Sequence, residues 1–528
     1  MTKLRAFFRH HPVLWDVVRW ALPAFIFGAV LRGLVLSYLP YAYWGSDSKS
    51  YYSFAHLLLG EGQISLDEKR RYLYPLLMAP VSLLPGAPLR WLAWLQHGLG
   101  LLGVLPMAYV VRKTLRFWKW WIVPVTVLYV GLPIFLWYEH ELLGEALFFS
   151  MLLWSFAGWI AWATQTDPAR ARRLFWWFFV PFAAFLLTKP SGRFIVPGVV
   201  CGLLLVRAWR VLDWRRWAAI VVLFAVTLTV GSKKQAAWLL YVASFPLTQL
   251  DTPANADYKR ELRPIAEPYI RDIDAYYKLD QKKTAERGGP FDFLETPRED
   301  HMPPLWSELD QSSPKYRELY MALALEGIKA RPLDFLYLGM QRLVASANLS
   351  DFDLERFESG TYARKLKGAW GDSEKVLASG KPSSIPMAFG LPKKGPLPPF
   401  GEFSPRLAPS PGSAAERAVL AWAHFIEDST DIVTLPHPGK NAPAEAWKIT
   451  QTRPTWLGWW LFASLALSLC YWRTLGVWTL ATLGYLAGVF LVSLVLTRYF
   501  APAWLIFLPI LFVPLDLVLS LLIRRRSA

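Results

Sequence analysis

Apolar residues fall into long runs along this chain, separated by short polar or basic stretches. Runs near 16–38, 89–111, 120–138, 143–163, 174–188, 192–207, 216–232, 455–472, 476–496 and 502–523 approach or reach the roughly 20 residues a helix needs to cross about 30 Å of hydrocarbon. They predict a mainly α protein, a polytopic bundle of about ten transmembrane helices. The fifth and sixth runs are short and separated by Thr-Lys-Pro-Ser-Gly-Arg, so they read either as two tight spans or as one broken re-entrant pair. The stretch 233–453 is too polar to span and long enough for one soluble domain. The expected organisation is a transmembrane module over 1–232, a soluble domain over 233–453 and a second transmembrane module over 454–528.

Charge gives the runs a direction. With ten spans, the basic loops 112–119, 169–173 and 207–216 and the tail from Arg524 lie on the side of the N-terminus. Cytoplasmic loops are the ones enriched in Lys and Arg, so both termini are expected in the cytoplasm. The first loop (39–88), the stretch 139–145, Lys189 and the large domain then face outward. The net charge is +17, yet 233–453 holds 29 acidic and 29 basic residues, so the whole excess belongs to the membrane part. It marks loop ends rather than a nucleic-acid surface, and nucleic-acid binding is excluded.

The N-terminal segment is basic and amphipathic, and the run behind it is too long for a signal peptide and has no small-residue cleavage site. The first span is expected to stay. Two cysteines, Cys201 and Cys470, both inside apolar runs, give no disulfide framework and no thiolate metal site. The histidines are scattered apart from His10 and His11, which gives a His-rich metal cluster little support. Within the soluble segment, 313–349 has the apolar spacing of a helical pair with Pro332 as boundary. Nine prolines between Lys381 and Gly412 exclude helix interiors and sheet centres; that stretch, 381–412, reads either as a linker or as an ordered strap over a cleft. A helix over 414–433 returns the chain to the packed body.

Chemistry-bearing residues gather in the outward loops. Asp47 follows directly on the first span, and helical spacing puts Asp47, Tyr51, Ala55 and Leu58 on one face of a short juxtamembrane helix. Arg32 lies inside the first span, where an ionisable group is costly and turns to the protein interior; it either snorkels outward or meets an anionic ligand or a carboxylate. Lys69, Arg70 and Arg71 precede the Tyr74-Pro75 turn on the face where basic residues are disfavoured, and such a triplet asks for an anionic partner.

The order of these features, an Arg in the first span, then Asp-Ser-x-x-Tyr-x-x-x-Ala, then a basic residue before Tyr-Pro-Leu-Leu, resembles the first external loop of GT-C glycosyltransferases. It is most similar to the bacterial relatives of dolichyl-phosphate-mannose protein mannosyltransferases and of the lipid A aminoarabinose transferase. The stretch 138–149 is similar to the family's second external loop, with Gly144 where a hydroxyl residue is usual and Glu145 retained. The stretch 186–197 is similar to the family's Leu-Thr-Arg-Pro segment, with Lys189 in place of arginine. The resemblance covers roughly residues 20–230 and leaves 233–453 unmatched.

It implies an integral enzyme of a bacterial inner membrane that moves a sugar from a polyprenyl-phosphate carrier to an acceptor hydroxyl of a glycolipid, glycan or protein on the outer side. Asp47 would be the general base of an inverting displacement. Because the leaving phosphate needs no general acid, fixed cations would suffice for it: Arg70 or Arg71, with Lys69, Lys189 and Arg32 as further candidates. Glu145 would position the acceptor, or merely pair with a cation such as Arg32. Glu139, Glu141 and His140 are the other acceptor or metal candidates, and Ser48, Tyr51 and Tyr74 would shape the site. Carboxylates of this kind suit an oxygen-bound Mg²⁺ or Mn²⁺ better than structural zinc. Two other classes compete: a transporter or flippase of a lipid-linked glycan, which predicts paired inverted halves, and an O-antigen polymerase or ligase.

Overall fold

The computed structural model describes residues 12–45, 47–58, 73–206, 212–229, 243–271, 314–345, 357–378, 412–430, 453–492 and 497–527, with a few short pieces between them. The chain is mainly helical, and its only strands among the described residues are two-residue pieces, Val433–Thr434 and Arg453–Pro454, paired antiparallel. Six helices among the described residues are long and apolar enough to cross a membrane: Pro12–Tyr38, Pro88–Thr114, Glu145–Ala163, Pro168–Thr188, Trp456–Leu491 and Phe500–Ile523. The pair Trp118–Gly131 and Pro133–His140, bent by 48°, passes the same test together, as a broken span or a re-entrant loop. Pro133 has no N–H to continue the ladder, and Leu132 before it is extended, the conformation a following proline favours.

Over their described residues the ten expected runs are helical. The run at 192–207 is the shorter apolar helix Pro190–Leu205, and the run at 216–232 is helical over its described part, Trp214–Thr229. The runs at 455–472 and 476–496 form one helical stretch that folds back on itself. The Ser468 and Thr479 hydroxyls are 2.8 Å apart, whereas 11 residues of straight helix would separate them by about 16 Å. A 3-10 turn and a π turn over 469–476 make the reversal.

Side chains on the outside of the bundle are apolar. Leu22, Ile26 and Val30 on the first span, Val180, Val221 and Val222, and Leu521 and Leu522 are all at least half exposed. A soluble protein would not leave such faces to water, and the protein is an integral membrane protein. Trp120, Trp214, Trp456 and Trp459 are exposed near helix starts, where an amphipathic ring suits a membrane–water boundary.

Polar ties define two opposite ends. At one, Arg112 donates to Asp16 at 3.0 Å, and the Asp516 carboxylate accepts from the Arg116 and Phe117 amides and the Trp121 indole at 3.0, 2.8 and 3.1 Å. At the other, the segment after the first span pairs with 140–142, and Tyr362 donates to the Tyr41 carbonyl at 3.3 Å. Helices 145–163 and 168–188 join these ends as a tight hairpin. Asp167 caps the second helix through the Ala169 and Arg170 amides, and Gly158 permits the close approach, since a Cβ there would lie 2.5 Å from the Trp177 carbonyl.

Among its described residues the polar segment attaches to the bundle at two places. Helices Ser359–Ala378 and Ala414–Thr430 join the main core, where Trp422 donates to the Gly131 carbonyl at 2.7 Å and Phe357 packs on Trp137. Phe389, inside the proline-rich stretch, packs on Tyr41 and Trp370. Helices Ala256–Arg271, Pro314–Ala330 and Pro332–Ala345 enclose a second, smaller core around Tyr241, Phe245, Leu262, Tyr320 and Leu338.

Candidate active site

Asp47 stands at the start of the helix Ser48–Leu58, half-buried, with its carbonyl accepting from the Ser50 amide at 3.1 Å. A carboxylate at this position faces the positive end of the helix dipole. The turn before it is anchored across the protein. The Tyr43 amide donates to the His140 carbonyl at 2.8 Å, and the Leu142 amide to the Tyr43 carbonyl at 2.9 Å. Ser48 completes the anchor, accepting from the Gly45 amide at 2.8 Å and donating to the Leu142 carbonyl at 3.0 Å. Gly45 is needed here, since a Cβ would lie 2.5 Å from Oε1 of Glu141. Glu141 is further held by the Trp137 indole, 3.1 Å from its Oε2.

Downstream on the same helix, Tyr51 and Ala55 are buried, as the spacing requires, and so is Tyr52 against Trp44. Tyr51 meets Tyr74 edge to face at 5.3 Å. Gly144 sits beneath this pair: a Cβ on it would lie 3.5 Å from the Thr188 methyl, 3.7 Å from the Tyr51 hydroxyl and 3.7 Å from Tyr74. Immediately beside it, Glu145 is ion-paired with Lys189. Thus three segments distant in sequence, 43–58, 138–149 and 186–190, converge on one point. Oε2 of Glu145 is buried and accepts no hydrogen bond from a described residue.

Tyr74 is oriented by Gln96, whose Oε1 accepts the phenol at 2.5 Å while its Nε2 donates to the Glu139 and Glu141 carbonyls at 3.0 and 2.7 Å. Burial, then the neighbouring Tyr51 and the Glu145 and Glu141 carboxylates, pushes the Tyr74 phenol well above its usual range. It stays a neutral donor.

Arg32 lies deeper. Its Nε donates to Oε2 of Glu139 at 2.7 Å and its Nη2 to Oε1 at 2.5 Å, and Nη1 reaches the Gly28 and Val130 carbonyls at 3.2 and 3.4 Å. His97 stands 3.1 Å from the same carboxylate and 3.2 Å from His140. The cavity at this cluster, bordered by Glu139, Tyr129 and Ser150, measures about 10 Å³. That is room for about one water and for no sugar or phosphate.

The expected residues therefore divide. Ser48, Tyr51, Tyr74, Glu141, Glu145 and Lys189 gather at the 141–145 turn, with Asp47 at the start of the helix Ser48–Leu58 that packs on it, whereas Arg32, Glu139 and His140 belong to an enclosed ion-pair network. Arg32 meets a carboxylate, one of the alternatives its position allows, but its partner is Glu139 and not Glu145. Lys69, Arg70 and Arg71 lie outside the described residues. Gln96 and His97, fully buried, are site residues that the spacing of outward loops did not reveal. Their signal was present: they are adjacent polar residues inside an apolar span. Among the described residues no three His, Cys, Asp or Glu side chains are grouped to hold a metal ion.

No family model matches the chain, and no curated protein does. Among solved structures it is similar to the archaeal oligosaccharyltransferase AglB from Archaeoglobus fulgidus, solved in complex with an inhibitory peptide and a dolichol-phosphate. The identity is 12% and the TM-score 0.39, over 96% of this chain and 52% of that one. The chain thus spans about half the length of the oligosaccharyltransferase.

Proposed function

We propose that this protein is a GT-C-type glycosyltransferase that moves a sugar from a polyprenyl-phosphate donor to an acceptor hydroxyl on the extracytoplasmic face of a bacterial inner membrane. The observation that carries the reading is the convergence at Gly144, where Tyr51, Tyr74 and Thr188 meet beside the Glu145–Lys189 pair. In this reading Asp47 takes the acceptor proton as the hydroxyl attacks the anomeric carbon from the face opposite the phosphate. Asp47 is suited to that role because it is half-buried at a helix start and its turn is tied to the backbone of 140–142.

The leaving phosphate carries the new negative charge, so a positioned cation lowers the barrier without donating a proton. Lys189 is the described residue for that task, with Lys69, Arg70 and Arg71 as further donors to the phosphate. Glu145 holds Lys189 and offers its second oxygen, Oε2, to the acceptor. The neutral Tyr74 phenol, bonded to Gln96, packs beside them without adding charge.

The test is Asp47→Asn in purified protein, assayed for sugar release from a series of undecaprenyl-phosphate hexoses and pentoses. Donor binding is followed separately, with each donor in detergent. Loss of turnover with binding retained is the expected result. Turnover at the parental rate, or no release by the parent protein from any donor, overturns the reading.

A further inference from the structure

The helix Pro332–Ala345 is apolar on both sides. Phe335, Leu338 and Gly339 are buried against the protein. On the opposite side Leu333, Leu336, Tyr337 and Met340 are 77, 51, 37 and 57% exposed. Their i, i+3, i+4, i+7 spacing makes a continuous stripe along the helix. In a domain standing in water, such a stripe would have a charged outer face. Here the charges sit at the entry to the helix, where Arg331 pairs with Asp334 at 2.6 Å.

The location of the helix says what covers the stripe. Arg342, almost wholly buried, donates through Nη1 to the Phe490 carbonyl at 2.7 Å and the Leu491 carbonyl at 3.3 Å, and through Nη2 to the Ala243 carbonyl. Phe490 and Leu491 lie in the last described turn of the apolar helix Val477–Val492. Arg342 therefore ties its helix to that turn of an apolar helix, and the two cross with Gly339 against Leu491. Val477–Val492 itself exposes Leu480 and Leu483, so the stripe lies on a helix packed directly against one that presents apolar side chains outward. At about 1.5 Å per residue the 14-residue helix is roughly 21 Å long, too short to span.

We infer that Pro332–Ala345 is an in-plane helix lying in the membrane–water interface, with Leu333, Leu336, Tyr337 and Met340 inserted into the edge of the lipid hydrocarbon. The occupant of the exposed face is the bilayer. The polar segment is thereby fixed to the membrane at a second point, away from Tyr41 and Tyr43, and the small core beneath Tyr241 and Tyr320 is held at the bilayer surface.

The experiment uses the full chain in phosphatidylcholine nanodiscs. Cys201 and Cys470, both exposed, are replaced by serine, and single cysteines at Leu333, Leu336 or Met340 carry a nitroxide. Asp257, 86% exposed in its side chain, is the aqueous reference and Leu480 the lipid reference. Power saturation compares collision with oxygen, enriched in lipid, and with a nickel chelate, confined to water. The expected result is an oxygen-to-nickel ratio at Leu336 and Met340 severalfold above that at Asp257 and approaching that at Leu480. A ratio equal to the Asp257 value overturns the inference. Protection from both reagents also overturns it, because a protein surface, such as a second copy, would then cover the stripe. Leu333 is the most exposed of the three, so its variant keeps the test open should either of the others fold poorly.

Discussion

Arg32 and Glu139 are joined by two parallel hydrogen bonds, Nε to Oε2 at 2.7 Å and Nη2 to Oε1 at 2.5 Å, with both side chains almost wholly buried. The pair locks the first span to the bent helix that carries the 139–145 turn. Arg32 Nη1 reaches the Gly28 and Val130 carbonyls and His97 approaches the Glu139 carboxylate, contacts of the kind a buried charge requires if it is to be tolerated.

Removing one partner leaves an uncompensated charge inside the bundle. Arg32→Met or Glu139→Leu is therefore expected to destabilise by about 3–5 kcal/mol. The double variant, which buries no orphan charge, should recover most of that loss. Thermal unfolding midpoints of the three variants in one detergent measure the effect. A double variant as unstable as the single ones would show that the network contributes more than charge pairing.

Gly45 is expected to tolerate no side chain. A methyl at this position must displace the Glu141 carboxylate, which is itself held by Trp137, and the displacement passes to Asp47 two residues on. Misplacement of about 1 Å at a reacting group costs on the order of a hundredfold in rate. Gly45→Ala should accordingly lower kcat for sugar transfer by roughly that factor while the unfolding midpoint changes little. Equal kcat in parent and variant would separate Asp47 from the Glu141 contact.

Much of this arrangement was legible in the sequence, and the limits have physical causes. Hydropathy reports how long a helix is and whether lipid can surround it, and the ten runs are helical over their described residues. It does not report a fold-back such as the one at Ser468 and Thr479, or how short a buried helix can be once neighbours satisfy it. The one-face spacing from Asp47 to Ala55 was readable because helical periodicity is local. Partner choice was not, because Arg32 and Glu139 are 107 residues apart and become neighbours only when two spans pack. Glu145 and Lys189 are likewise both readable as charged groups between apolar runs, but not as each other's partner. Gln96 escaped because attention to outward loops passes over an amide in the middle of a span.

The Glu145–Lys189 pair separates structure from catalysis. Glu145 is 1% exposed in its side chain and Lys189 13%. Lys189→Met should leave the carboxylate buried without its cation and destabilise the protein, whereas Lys189→Arg keeps the charge. If Lys189 also binds the donor phosphate, Lys189→Arg retains the fold while the KM for donor changes, because a guanidinium fork presents its donors differently from an ammonium. Measuring unfolding and donor KM on both variants decides between the two roles. An unchanged KM in a stable Lys189→Arg protein would assign Lys189 to structure alone.

Tyr74 and Gln96 give the last prediction. Tyr74→Phe removes the phenol but leaves Gln96 bound to the Glu139 and Glu141 carbonyls, with Oε1 unpartnered. Gln96→Leu removes all three bonds and strands two carbonyls and the phenol, and an unsatisfied buried polar group costs about 1–3 kcal/mol. Gln96→Leu is therefore the more damaging change, and it should shift the 139–141 backbone to which Tyr43 is bridged. The two variants also differ with pH. A phenol whose folded pKa lies above its unfolded value of about 10 adds stability that is fully present below pH 10 and is lost as pH rises beyond it toward the folded value. The parent should lose stability steeply in that alkaline range, and Tyr74→Phe should lose less over the same interval. Unfolding midpoints from pH 7 to 11, compared between parent and Tyr74→Phe, check this; parallel curves would mean that Tyr74 ionises as readily in the folded chain as in the unfolded one.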